Sequence, residues 1–156
     1  MKLRRIADFT KTTTRFLALF APAADLLLRL WVANVFWKSG LTKIRSWDST
    51  LQLFSGECDW CYQVPLLPPV FAAYLGTGAE LILPVLLALG LGGRLAAAAL
   101  FVFNIVALIS LPEVRPVDLM NHQLWGLMLL FPILYGPGKI SVDHFIRRRY
   151  IKTSAL

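Results

Sequence analysis

The chain has two histidines and two cysteines among its 156 residues. Neither histidine stands in a metal-ligand spacing such as HxxxH, so the sequence predicts no metal site. No internal repeat is visible, which argues against a carrier assembled from inverted repeats. No low-complexity linker is visible either, and length alone points to one domain. Acidic residues are scarce, nine against sixteen Lys and Arg, and the formal net charge is +7. A basic surplus suggests nucleic acid, but its distribution excludes that partner. Ten of the sixteen basic residues stand in the two ends: Lys2, Arg4, Arg5, Lys11 and Arg15, then Lys139, Arg147, Arg148, Arg149 and Lys152. Between Thr50 and Arg94 there is no Lys or Arg at all. Basic ends around an apolar centre follow the positive-inside rule rather than forming a DNA-binding face.

What fills that centre is apolar. The chain is 57% hydrophobic, with a mean hydropathy of +0.62. A soluble domain of this length cannot bury so much apolar surface, so much of it must face lipid. Four stretches approach the roughly 20 residues a helical span needs: about 22–44, 68–90, 94–111 and 119–135. The predicted fold is an all-α membrane protein, a four-transmembrane-helix bundle over residues 21–137. A basic segment, 1–20, precedes it and a basic tail, 138–156, follows. The apolar run that starts near Phe16 continues past Ala21-Pro22-Ala23-Ala24 to Leu41, so it reads as an uncleaved span rather than a signal peptide. Spans two and three are joined by Leu91-Gly92-Gly93. The charges place both termini and this turn in the cytoplasm. The longer loop between helices 1 and 2, Arg45 to Leu67, then lies outside, with Lys43 and Arg45 as basic exceptions on that side. Trp47, Phe54, Trp60 and Tyr62 suit an outer aromatic belt. In the tail, Val142, Phe145 and Ile146 beside an arginine run read either as a short helix lying on the membrane surface or as a solvated basic tail. The expected location is the inner membrane of a bacterium, multi-pass.

Charges inside spans are costly and need partners. On the first span Asp25, Arg29, Phe36, Gly40 and Lys43 share one helical face, and Asp25 and Arg29 form an i,i+4 pair. On the second, Ala73, Gly76, Thr77, Glu80 and Pro84 share a face whose small residues admit a neighbouring helix. Counting depth from the ends of the spans pairs Arg29 with Glu80, with Asp25 as a third member. That group reads as a structural ion pair or as a polar pocket for a ligand head group or a proton. Towards the outside, Lys43, Asn104 and His122 come from spans one, three and four, with Trp125 one turn beyond His122. A lone histidine near a helix start also fits a plain interfacial residue.

The two cysteines sit in Gly56-Glu57-Cys58-Asp59-Trp60-Cys61-Tyr62, on the outer side of this topology. Three readings compete there: a structural disulfide, a redox-active pair, and metal-binding or idle thiols. Asp59 raises rather than lowers the thiol pKa, and a second cysteine pair to exchange with a partner is lacking. Pro65, Pro68 and Pro69 stiffen the segment, so the expected native state joins Cys58 to Cys61. A bridge over so short a loop adds little stability, which leaves shaping the outer mouth, or electron exchange there, as its use.

Three stretches carry a family resemblance. They are Arg29 to Ile44 (RLWVANVFWKSGLTKI), Val64 to Leu100 with Pro68-Pro69, Glu80, Pro84, Gly90 and Arg94, and Asn121 to Gly126 (NHQLWG). In this order and spacing, from about Asp25 to Pro137, the chain resembles the DoxX family of small bacterial integral membrane proteins. Gly93 departs from the family's usual Thr before the turn arginine. The resemblance implies a four-helix membrane bundle and a leaning towards redox chemistry, with relatives linked to quinone-dependent sulfur oxidation and to thiol and oxidative-stress complexes. Three functions follow as expectations. One is a redox-linked accessory subunit that holds a partner protein or a quinone in a polar-lined bundle. The second is a thiol:quinone oxidoreductase acting through Cys58 and Cys61. The third is a small-solute or metal-linked transporter. The expected partners are the lipid bilayer and a membrane or periplasmic protein, with a homo-oligomer left open and nucleic acid excluded.

Overall fold

The structure, a computed structural model, describes the backbone of residues 2–151 and the side chains of residue 11 and residues 13–150. The roles assigned above to the side chains of Lys2, Arg4, Arg5 and Lys152, and the tail beyond Ile151, lie outside the described residues. Within them every regular element is a helix and no strand occurs. The order is α1 (Lys2–Arg45), α2 (Trp47–Phe54), α3 (Pro69–Leu89), α4 (Gly93–Ile109), α5 (Pro116–Tyr135) and α6 (Val142–Ile151).

Two helices are long and apolar enough to cross a membrane, Thr13–Arg45 within α1 and Pro69–Leu89. The 44 residues of α1 amount to about 66 Å at 1.5 Å per residue. That is about twice the hydrocarbon thickness of a bilayer. The segment expected as a separate basic arm is thus an extension of the first helix. Pro22 sits inside α1 and removes one main-chain bond without ending the helix. Helix α3 opens with Pro69 in its first turn after Pro68, where the missing N–H is not needed. It closes on Gly90 in the left-handed conformation, φ 65°. The Gly90 and Leu91 amides return to the Leu87 and Leu86 carbonyls, which satisfies the last turn. Gly92, φ 56°, then starts α4 at once.

The loop expected between Arg45 and Leu67 contains a helix, α2, that sequence reading missed. Only eight residues long, it carries too few periods to register as amphipathic beside the long apolar spans. Phe54 of α2 is buried with Ala72 and Ala73 of α3, and Tyr62 packs against it with ring centroids 5.3 Å apart. Phe54 is therefore core rather than belt. Trp60, 63% exposed, stays on the surface.

Helix α1 packs on α3, α3 on α4, α4 on α5, and α5 back on α1. Where they meet, Val32, Phe36, Leu87, Ala97, Leu100 and Leu129 are buried. Close approach through small residues accompanies this burial. A Cβ on Gly40 would meet Glu80 Cβ and the Leu81 side chain at 3.0 Å, and one on Gly93 would run into Pro137. The outward faces are correspondingly apolar: Phe16, Leu17, Leu27, Trp31, Ile82 and Leu127 are each more than half exposed.

Candidate functional site

The faces read from the sequence are the ones buried, but the partners differ. Arg29 does not meet Glu80. Its side chain is fully buried, and Nε donates to Asp25 Oδ2 at 3.2 Å. Nη1 donates to the Leu87 and Ala88 carbonyls at 3.1 and 3.0 Å, and Nη2 to the Ile140 carbonyl at 2.6 Å. One guanidinium thus caps the C-terminal end of α3 and ties it to α1 and to the segment before α6, using the flat fork that lysine lacks. Gly138, φ 67°, leaves room there, since a Cβ would collide with Asp25 Oδ2. Asp25 Oδ1 is buried without a hydrogen-bond partner among the described residues.

The expected Arg29–Glu80 pairing failed on register. A depth measured from Pro22 sets the start of the first helix too late, since α1 begins far earlier. Gly40 lies against Glu80, and Arg29 is eleven residues below Gly40, about 16 Å further along the axis.

Glu80 is instead held by Lys43. Lys43 Nζ donates to both carboxylate oxygens at 2.8 and 2.7 Å and to Ser39 Oγ at 2.9 Å, and Ser39 Oγ donates to Glu80 Oε1 at 3.1 Å. Lys43 makes no hydrogen bond to Asn104 or His122, the residues expected beside it, but shares a cavity wall with His122 and Trp125. Asn104 Oδ1 lies 2.9 Å from His122 Nδ1, and Asn104 Nδ2 donates to the His122 carbonyl at 2.9 Å. The buried amide fixes the ring of His122, which sits edge-on to Trp125 with centroids 5.0 Å apart.

Both groups border one cavity of about 530 Å³. Lys43, Glu80 and Ser39 form a polar patch, with His122 and Trp125 elsewhere on the wall; Phe36, Phe103 and Phe54 supply apolar surface. Asn104 stands behind His122. Phe36 packs edge-on against Trp125 and Phe103, at 5.8 and 6.1 Å. A polar anchor in a mostly apolar chamber is the usual build of a small-molecule site. It suits an elongated apolar molecule with one or two hydrogen-bonding ends.

The outer loop helps line this cavity. The Tyr62 amide donates to the Leu53 carbonyl at 2.8 Å and the Gln63 amide to the Ser110 carbonyl at 2.9 Å. Tyr62 and Val64 thereby line the chamber. Burial, with the carboxylates of Glu80 and Asp118 in range, raises the Tyr62 phenol above its ordinary value. Its hydroxyl stays protonated at neutral pH. Cys58 and Cys61 are joined in a disulfide, the state expected for them. Cys61 is fully buried. Its sulfur carries no proton and rests 3.1 Å from the Gln52 carbonyl oxygen.

Ser39 and Tyr62 were missed as site residues. Ser39 stands four residues before Lys43, a spacing that places them on one helical face. Tyr62 follows Cys61 and shows in the sequence only as an aromatic near an interface. No cluster of metal-ligating side chains occurs among the residues described.

Neither curated proteins nor solved structures show a match to this chain. A family match does exist, over residues 24–112, more than half of the chain. It takes in Asp25, Arg29, Lys43, Glu80, Asn104 and both cysteines, and ends before the Asn121–Gly126 stretch. With the clamp at Arg29, the Lys43–Glu80 pair and the Gly–Arg turn all inside the matched span, the chain belongs to the DoxX family.

Proposed function

We propose that this is a four-span inner-membrane protein with both termini in the cytoplasm, whose cavity takes the head group of a lipid-soluble quinone as part of a redox-linked accessory subunit. The observation that carries the proposal is the cavity of about 530 Å³ lined by Lys43, Glu80, Tyr62, His122 and Trp125. A quinone presents two carbonyl oxygens and no charge. Tyr62 offers a hydrogen bond to such an oxygen, His122, whose Nδ1–H is taken by Asn104 Oδ1, presents Nε2 as an acceptor for a hydroquinone hydroxyl, and Lys43, tethered to Glu80, offers a cation that stabilises charge developing on the ring. Phe36, Phe103 and Trp125 offer flat apolar walls to the ring and its tail. A membrane or periplasmic partner protein would exchange electrons with the bound molecule.

Titration of the purified protein with a short-chain, water-soluble quinone tests this reading, with tryptophan fluorescence as readout. Saturable quenching is expected, reduced in W125F and weakened in E80Q. Quenching that rises linearly, or that W125F leaves unchanged, overturns it.

A second reading has its own observation. Cys61 adjoins Tyr62, which lines the cavity, so the disulfide lies within one residue of the proposed quinone. In that reading a substrate dithiol reduces the Cys58–Cys61 bridge by exchange, its own sulfurs joining in a disulfide and its two protons passing to Cys58 and Cys61. The resulting Cys58 and Cys61 thiols pass two electrons and two protons to the quinone, which restores the bridge and leaves a hydroquinone. The balance requires a dithiol donor and a quinone acceptor and nothing else. Quinone reduction by dithiothreitol, faster with protein than without and lost in C58S/C61S, supports it. A rate equal to the protein-free control removes it.

A further inference from the structure

At the other end of the molecule, around the α3–α4 turn and α6, lies a second cavity of about 300 Å³. Its wall is half polar where the first is mostly apolar. Arg94, Arg147 and His144 line it, with Tyr135, Gly136 and Asp143. Asp143 is the acidic member, but its carboxylate is committed. Oδ1 accepts from the Gly92 amide at 2.8 Å and Oδ2 from the Gly93 amide at 2.9 Å. Its charge therefore sits on the N-terminal end of α4, where helix-end amides neutralise it. Against that single carboxylate the two arginines leave the wall net positive.

Arg94 is held in place for this. Its Nη2 donates to the Leu134 carbonyl at 3.3 Å. Its Nε lies over Gly136, where a Cβ would come within 3.3 Å of it. Gly136 has φ 86°, a conformation that suits glycine alone. Arg147 reaches the cavity from α6 and is exposed. Tyr135, on the wall, stands 74% exposed. A cationic cavity with a bare aromatic ring on its wall has the layout of a membrane headgroup region, where rings sit at the interface and basic pockets take anionic heads.

We propose that this cavity binds the phosphate of an anionic phospholipid, held between Arg94 and Arg147 with the acyl chains lying along the apolar surface near Tyr135. The proposal rests on the membrane-embedded reading of the chain and is independent of what the larger cavity takes. Bidentate contact from guanidinium to phosphate is the geometry that arginine favours.

Native mass spectrometry of the detergent-purified protein tests the site, with added phosphatidylglycerol, phosphatidylcholine or inorganic phosphate as probes. The expected result is retention of phosphatidylglycerol over phosphatidylcholine, with affinity lowered about tenfold or more in R94Q/R147Q. Should the double variant not fold, R147Q alone, at an exposed position on α6, must lower retention while leaving the melting temperature unchanged. Three outcomes overturn the proposal: equal retention of the two lipids, an equal fall in R148Q, which lies on α6 outside the cavity wall, or displacement of lipid by inorganic phosphate at matched concentration. A wild-type chain released from membranes by carbonate washing would overturn the membrane reading itself. A chain that stays in the membrane but shows no lipid selectivity overturns this inference alone.

Discussion

Buried Arg29 and partly buried Lys43 divide the polar work of α1, and they respond differently to mutation. Lys43 and Glu80 satisfy each other through one contact set. Removing either partner leaves a lone charge away from water, with an expected cost of about 3–5 kcal/mol. K43M and E80Q should each lower the melting temperature of the detergent-solubilised protein, and the K43M/E80L double variant should regain much of the loss, since an apolar pair of similar volume is often no worse than a buried ion pair. A double variant no better than the worse single one would show that the cavity needs the pair for more than mutual neutralisation. Arg29 has no such rescue. Asp25 and the Leu87, Ala88 and Ile140 carbonyls depend on it, so R29L should stay destabilised even when D25L is added. The sequence made the buried faces legible, because Asp25, Arg29 and Gly40 recur at helical spacing on one helix, Glu80 shares a face with small residues on another, and charges in spans must turn inward. It did not make the partners legible. Pairing depends on how α1 and α3 slide past one another, and that register follows from the Gly40–Glu80 contact and the true start of α1, neither of which shows in periodicity.

At the level of elements, the short helices fasten the ends of the long ones. Phe54 of α2 and the segment after the disulfide, Tyr62 and Val64, line the Lys43–Glu80 cavity, and α6 holds the α3–α4 turn. The bridge spans three residues of separation, and closing so short a loop contributes no more than about 2 kcal/mol on chain-entropy grounds. C58S/C61S should therefore fold with a modest fall in melting temperature, while quinone binding changes more than stability does because Tyr62 loses its anchor. A large loss of stability with unchanged binding would reverse that assignment. Asp143 acts as a cap supplied from a distance. D143A leaves the Gly92 and Gly93 amides without their acceptor and should cost about 1–2 kcal/mol. The effect should be local: faster tryptic cleavage within Arg147–Arg149, with the Lys43–Glu80 end unchanged. Of these elements, the Gly–Arg turn and the amphipathic tail could be read in advance, because glycines and an arginine run punctuate the chain. Helix α2 could not, since eight residues between two long apolar runs give no period of their own.

For the molecule as a whole, sidedness decides what every other feature means. Ten of sixteen basic residues lie in the two ends, and Arg94 follows the α3–α4 turn. Arg94 and Arg147 share a cavity, so the turn and the tail lie on one side of the protein. The opposite end carries the disulfide, α2 and the chamber with Lys43 and Glu80. If the basic end is cytoplasmic, as loop charge directs, the cysteines face an oxidising compartment in which the bridge persists. An inverted protein would hold the bridge in a reducing compartment and its arginines towards the outer leaflet, and neither proposal above would survive in its present form. Reporter fusions distinguish the two arrangements. A phosphatase, active only outside the cytoplasm, should be active when fused after Ser55 and silent when fused after Leu156, and a cytoplasm-dependent fluorescent reporter should give the converse. Matching signals at both sites would mean an even number of crossings between them. That outcome would break the four-span reading at α5, which the length-and-hydropathy criterion does not pick out although α5 packs against both α1 and α4.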